Sequence, residues 1–132
     1  MKPCFLNVDL EIVSTSKLDS LAAEMGERVF VLKSEPPKPR RYVLAVESNR
    51  FSSRMSRMPD ALIHALCSVV ESLSPASRRI WQRAQKTFDV GYELRPSERF
   101  SRFSVRPDTL GRVAKLGATL TITYYRGNTD AA

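Results

Sequence analysis

The chain has 132 residues, 42% of them hydrophobic and 27% charged. That length predicts one domain, 1–132, with a core large enough to need neither disulfides nor metal. The net charge is +7, and no run approaches the roughly 20 apolar residues of a membrane span.

The N-terminal MKPCFLNVDLEIV is interrupted by Asn7, Asp9 and Glu11, which excludes the apolar heart of a signal peptide. The expectation is a cytoplasmic protein. Cys4 and Cys67 are expected to be free rather than bridged. With His64 the single histidine, no zinc set of common spacing can be written. No metal site and no cofactor are implied.

Phe5 to Val13 alternates, with Leu6, Val8, Leu10 and Ile12 on one face and Asn7, Asp9 and Glu11 on the other. This is the pattern of a half-buried strand. Ser16 is placed to cap a helix, with Asp19 in a capping-box-like position. Leu18, Leu21, Ala22 and Met25 fall at helical spacing, and Gly26 marks the stop. Arg28 to Lys33 is the next strand, expected to run parallel to the first.

Residues 34–40, SEPPKPR, hold three prolines and form a loop. Arg41 to Ser48 is a third strand, antiparallel to the second. Residues 49–59, NRFSSRMSRMP, form a basic loop, or a short helical turn, in which arginines interleave with Phe51, Met55 and Met58.

Asp60 to Leu73 is the longest apolar-rich stretch. Leu62, Ile63, Leu66, Cys67, Val69, Val70 and Leu73 cover one broad arc of a helix. Asp60, His64, Ser68, Glu71 and Ser72 cover the remainder. Ser74-Pro75 opens a further helix through about Lys86, with Trp81 as a core or margin anchor and Arg79, Arg83 and Lys86 as a basic stripe.

Thr87 to Arg95 alternates again, and Phe100 to Val105 is read as its hairpin partner. Pro107 to Gly117 is a short helix, Ala118 to Arg126 the last strand, and 127–132 a frayed tail. The whole is α+β: a single mixed sheet of about six strands in the order βαββ–αα–ββαβ, with helices packed on one face.

The terminal FSRFSVRPDTLGRVAKLGATLTITYY resembles the end of a widespread bacterial domain-of-unknown-function family. Its members are small α+β proteins ending in a strand, a short Leu-containing helix, Gly and an alternating strand that closes on Tyr. The opening NVDLEIVSTSKLDSLAAEMG is similar to that family's start. Gly26-Glu27-Arg28 departs from the Gly-Leu-Pro-Thr-like stretch expected after the first helix. Some members look like immunity proteins encoded beside bacterial toxins. The resemblance therefore implies a bacterial protein that binds another protein, and it carries no residue over.

Three groups of residues invite a chemical reading. His64, Ser68 and Glu71 share one helical stripe and have the residue types of a nucleophile, a base and its orienter. One rigid stripe is a poor way to assemble a triad, and a solvated helix face explains it better. Asp9, Glu11, Asp89 and Glu93 belong to the outer sheet face, where paired carboxylates can bind a cation or act as acid and base, or simply face water.

The third group is basic. Residues 34–57 carry six Lys/Arg against two Asp/Glu. There Arg40, Arg41, Arg50, Phe51, Arg54 and Arg57 form the expected binding surface, with the planar guanidinium suited to carboxylate or phosphate. The expected partner is another protein, in an immunity-like inhibitory role without catalysis. Nucleic acid or another acidic ligand at the same surface is the alternative, and a small enzyme or metal binder using the sheet carboxylates is the third. Neither RNP motif nor basic recognition helix is present in the sequence. No membrane partner is implied, and oligomeric state is not read from these residues.

Overall fold

The structure is a computed structural model that describes residues 5–34, 38–49, 58–94 and 102–126. The elements run β1 (Phe5–Ser14), α1 (Asp19–Met25), β2 (Val29–Ser34), β3 (Tyr42–Ser48), α2 (Pro59–Glu71), α3 (Pro75–Arg83), β4 (Gln85–Leu94), α4 (Pro107–Lys115) and β5 (Thr119–Arg126). The strands form one mixed sheet in the order β2-β3-β1-β4-β5. All neighbours are antiparallel except β4 and β5, which are parallel.

β1 and β2 are both antiparallel to β3, so they are parallel to each other as expected, with β3 inserted between them. The α4 crossover then adds β5 at the far edge. Among the described residues no helix is long and apolar enough to cross a membrane.

The period-2 strands bury one face. Val8, Leu10 and Ile12 of β1, Leu44 and Val46 of β3, and Phe88 and Val90 of β4 pack in one cluster with Leu21, Ile63, Leu66, Val70 and Trp81 from the helices. Alternation alone puts these residues on one side, and the four amphipathic helices cover that side. α2 is the largest contributor, with Pro59, Leu62, Ile63, Leu66, Cys67, Val69 and Val70 buried.

Among the described residues the sheet has five strands rather than the expected six. Arg102 to Arg106 have no regular structure, and residues 100 and 101 lie outside the described part. Phe103 and Val105 still pack against the core, and the Phe103 ring lies 5.5 Å from Tyr92. The alternation there records which side chains face inward, but the position beside β4 is taken by β5. The second half of the expected βαββ–αα–ββαβ order is therefore β-α-β.

Two helix boundaries also move. α1 starts at Asp19 with no side-chain cap, while Ser16 instead donates its N–H to Ser14 Oγ (2.9 Å). α3 ends at Arg83 because Ala84 is extended, so Lys86 belongs to β4 rather than to a helical basic stripe. Its Nζ sits 5.5 Å from the centroid of the Trp81 ring. Gly26 has φ 55° after α1, the left-handed geometry that favours glycine at a helix stop, and leads into a single 3-10 turn over Gly26–Arg28.

Candidate functional site

The polar stripe of α2 faces a cleft of ≈ 550 Å³ lined by Arg28, Ser48, Asn49, Asp60, Ala61, His64, Ala65, Ser68 and Val69. Its polar atoms are largely committed to holding elements together. The Arg28 guanidinium donates to Ser72 Oγ (2.7 Å), the Glu24 carbonyl (3.2 Å) and the Met25 carbonyl (3.4 Å), closing the end of α1 onto the end of α2. Asn49 Nδ2 donates to the Glu27 carbonyl (2.9 Å). Asp60 Oδ1 accepts the Arg106 N–H (2.8 Å), so a carboxylate on α2 satisfies a donor at the start of α4.

His64, Ser68 and Glu71 do lie on one stripe, but they do not form a relay. Ser68 Oγ donates to the His64 carbonyl rather than to its ring (3.2 Å), and it accepts from Arg112 Nη2 (2.9 Å). Glu71 accepts two bonds from the same guanidinium, from Nε (3.0 Å) and Nη2 (2.5 Å). Those bonds hold the Glu71 carboxyl below the usual range and raise Arg112. The stripe clamps α2 to α4 through a forked ion pair. Cys67, on the buried side of α2, has its thiol pushed up to about 11 by burial, which favours the protonated form.

A second clamp was not legible in the sequence. Glu24 of α1 accepts the Ser74 N–H (2.7 Å), the Ser74 hydroxyl (2.8 Å) and the Ser77 hydroxyl. Ser74 itself caps α3 by accepting the Ser77 N–H (3.3 Å). The remote carboxylate does the work that a Glu at the third helical position does in a capping box. These donors, the Ser74 backbone foremost, lower the Glu24 pKa.

On the outer sheet face Asp9 and Asp89 stand directly opposite each other in the β1–β4 register. Asn7 Nδ2 donates to Asp9 Oδ1 (2.7 Å), and the Thr123 hydroxyl donates to Asp89 Oδ1 (2.6 Å). Asp9 is pushed up to about 6, first by burial and then by Glu47, Asp89 and Glu11. Burial also raises Glu47 of β3, a fifth acid of this face. Glu93 lies further along β4. Among the described residues no three His, Cys, Asp or Glu side chains are arranged to hold a metal ion. The face is not uniformly polar, because Val43 and Ala45 on it are buried.

Of the expected basic surface, Arg40 and Arg41 are described and exposed at the tip of the β2–β3 hairpin. Lys38 and Arg41 close that tip with reciprocal backbone bonds (3.4 and 3.0 Å), and Arg40 turns the corner with φ 61°. Lys33 and Lys38 are exposed beside them. Arg50, Phe51, Arg54 and Arg57 lie outside the described residues.

The strand that leads into this tip is apolar and exposed. Phe30, Val31 and Leu32 of β2 are 51%, 56% and 45% exposed. A half-buried strand alternates, so four consecutive apolar residues from Val29 to Leu32 put apolar groups on both faces, and that run was the available signal. β2 is an edge strand, and its register shifts between Val31 and Lys33. No family model matches the chain, and no curated protein or solved structure matches it either.

Proposed function

We propose that the protein acts by binding another protein through β2 and the tip of the β2–β3 hairpin. The observation that carries this reading is the exposed Phe30-Val31-Leu32 run beside Lys33, Lys38, Arg40 and Arg41. Large apolar side chains exposed on both faces of one edge strand give a partner anchors that wrap the edge, and a few such anchors with charged neighbours are what a protein interface needs. The partner that fits has an apolar socket rimmed by acidic side chains. Complementary charge would speed its approach to a chain of net charge +7. The bulge in β2 disfavours extension of the sheet by a partner strand, so the contact is made by side chains. Inhibition of a toxin, in the manner of an immunity protein, is the concrete form of this role.

The test compares the wild type with Phe30→Ser/Val31→Ser and with Arg40→Glu/Arg41→Glu, using a partner purified from the native host. The expected result is a stoichiometric complex whose affinity falls roughly tenfold or more in the apolar double variant. In the charge variant the association rate should fall and lose its salt dependence. A partner whose binding ignores both variants overturns this surface. Retention of nucleic acid, weakening steeply with salt, would replace protein binding with the nucleic-acid reading.

A further inference from the structure

β5 is the opposite edge of the sheet, and it is built differently from β2. It pairs with β4 without a register shift from Thr87↔Thr119 to Leu94↔Arg126. Among the described residues no strand lies on its outer side. Edges are normally blunted by charge, proline or a bulge. β2 has two of these devices, its bulge and Lys33. β5 has none before Arg126: from Leu116 to Tyr125 there is no charged residue and no proline, in a chain that is 27% charged. Ile122 and Tyr124 are exposed on the helix side of this edge, and Thr119, Thr121 and Tyr125 on the other.

We propose that β5 pairs antiparallel with β5 of a second copy of this chain, about a two-fold axis at Ile122. A two-fold interface must be self-complementary, and Leu120-Thr121-Ile122-Thr123-Tyr124 is symmetric in chemical class about its centre. In this register Ile122 meets the partner's Ile122, Thr121 meets the partner's Thr123, and Leu120 meets the partner's Tyr124. Apolar residues then oppose apolar residues on one face and threonines oppose threonines on the other, both favourable cross-strand combinations.

Charge is accommodated as well. In this register position 126 falls opposite the partner's Ala118, so the one basic position of β5 is not paired with itself. The strand order puts the basic hairpin tip beside β3, at the far edge from β5. The two basic tips are therefore held at opposite ends of a continuous sheet. A strand from an acidic or basic partner finds no charge to read on residues 116–125, whereas a copy of the same strand needs none.

The experiment is sedimentation velocity on the full chain over a range of micromolar concentrations, for the wild type, Ile122→Lys and Val31→Lys. Hydrogen exchange of residues 119–125 is followed on the same samples. The expected result is a wild-type dimer and a dimeric Val31→Lys. Ile122→Lys should halve in mass while keeping a cooperative thermal transition. Amide protection in β5 should rise with wild-type concentration. A wild type that stays monomeric, with β5 exchange independent of concentration, overturns the proposal. So does a dimer that survives Ile122→Lys, or one that dissociates in Val31→Lys. Should Ile122→Lys fail to fold, the concentration dependence of wild-type exchange decides the matter alone. The outcome is separate from the β2 reading, which concerns a different edge and a different partner.

Discussion

The two faces of the sheet treat the same chemical group in opposite ways. On the helix side, Glu24 and Glu71 meet donors brought from distant parts of the chain, and both carboxyls are held low. On the outer side, Asp9 meets other acids, and its carboxyl is pushed up to about 6. Residue type does not decide between these fates; what faces each carboxylate does. The helix side is a set of closed contacts that fix four helices on one sheet. The outer face gathers acids against one another, and the two edges carry exposed apolar side chains.

The largest test of the helix side is Trp81. It is fully buried, and its Nε1 donates to the Leu116 carbonyl (2.9 Å), tying α3 to the end of α4. Trp81→Ala removes a large buried ring and leaves a cavity, which costs about 3–5 kcal/mol. Trp81→Phe keeps most of the packing but orphans the carbonyl, a loss of about 1–2 kcal/mol. Urea unfolding followed by far-UV circular dichroism measures both. Equal losses for the two variants would show that the hydrogen bond, not the packing, dominates at this site.

The next effect belongs to the remote cap. Glu24→Gln keeps the shape but removes the charge that accepts three bonds from Ser74 and Ser77. The variant should melt below the wild type at pH 7, by less than Trp81→Ala does. The sign in pH follows from the lowered carboxyl: its stabilisation is present above the unfolded-state value and is lost as pH falls through the folded one. The gap between variant and wild type should therefore close in acid. A gap that stays constant down to pH 3 would mean that Glu24 acts by packing rather than by charge.

The difference between the two faces was only half legible in the sequence. Period-2 alternation placed β1, β3, β4 and β5, and helical spacing placed the buried arc of α2, because both patterns record which side chains leave water. The pairing of strands was not legible in the same way. The alternation at Phe103 and Val105 reports inward-facing side chains and is silent on whether the backbone has a ladder partner. The end of α3 is silent in sequence, because the turn at Ala84 carries neither Gly nor Pro. The Glu24 and Arg112 clamps join residues about 40 to 50 apart in the chain, a distance over which sequence spacing carries no signal. Arg40 and Arg41 are exposed at the hairpin tip. The apolar run from Val29 to Leu32 breaks the alternation of a half-buried strand, and that break is the signal for exposure on this edge.

The outer face gives a smaller effect of opposite sign. Asp9 has a folded-state carboxyl at about 6 against an ordinary 3.8. A raised value means that its contribution is fully present below the unfolded pKa and is lost as pH rises through the folded one. Asp9→Asn mimics the protonated acid and can still accept from Asn7. It should match the wild type near pH 3.5 and exceed it above pH 6. The side chain is half in water, so screening limits the gain to about 1–2 kcal/mol. Thermal melts across pH 3.5 to 8 give the comparison. A variant less stable than the wild type at pH 8 would show that ionised Asp9 has a favourable partner on this face, and the contrast between faces would fail.

The smallest effect is an exception on the closed side. Thr109 of α4 is fully buried, and its hydroxyl has no hydrogen-bond partner among the described residues. A buried hydroxyl without a partner loses its hydration and gains nothing in return. Thr109→Val keeps the branched shape and removes the polar atom, and both residues have similar helix propensity. The variant should be more stable by about 1 kcal/mol, seen as a higher urea midpoint at unchanged slope. If the midpoint falls instead, the hydroxyl is satisfied within the helix layer, most simply by its own preceding turn or a buried water. Thr109 would then join the closed contacts of the helix side, and the contrast with the outer face would be sharper than the geometry alone makes it.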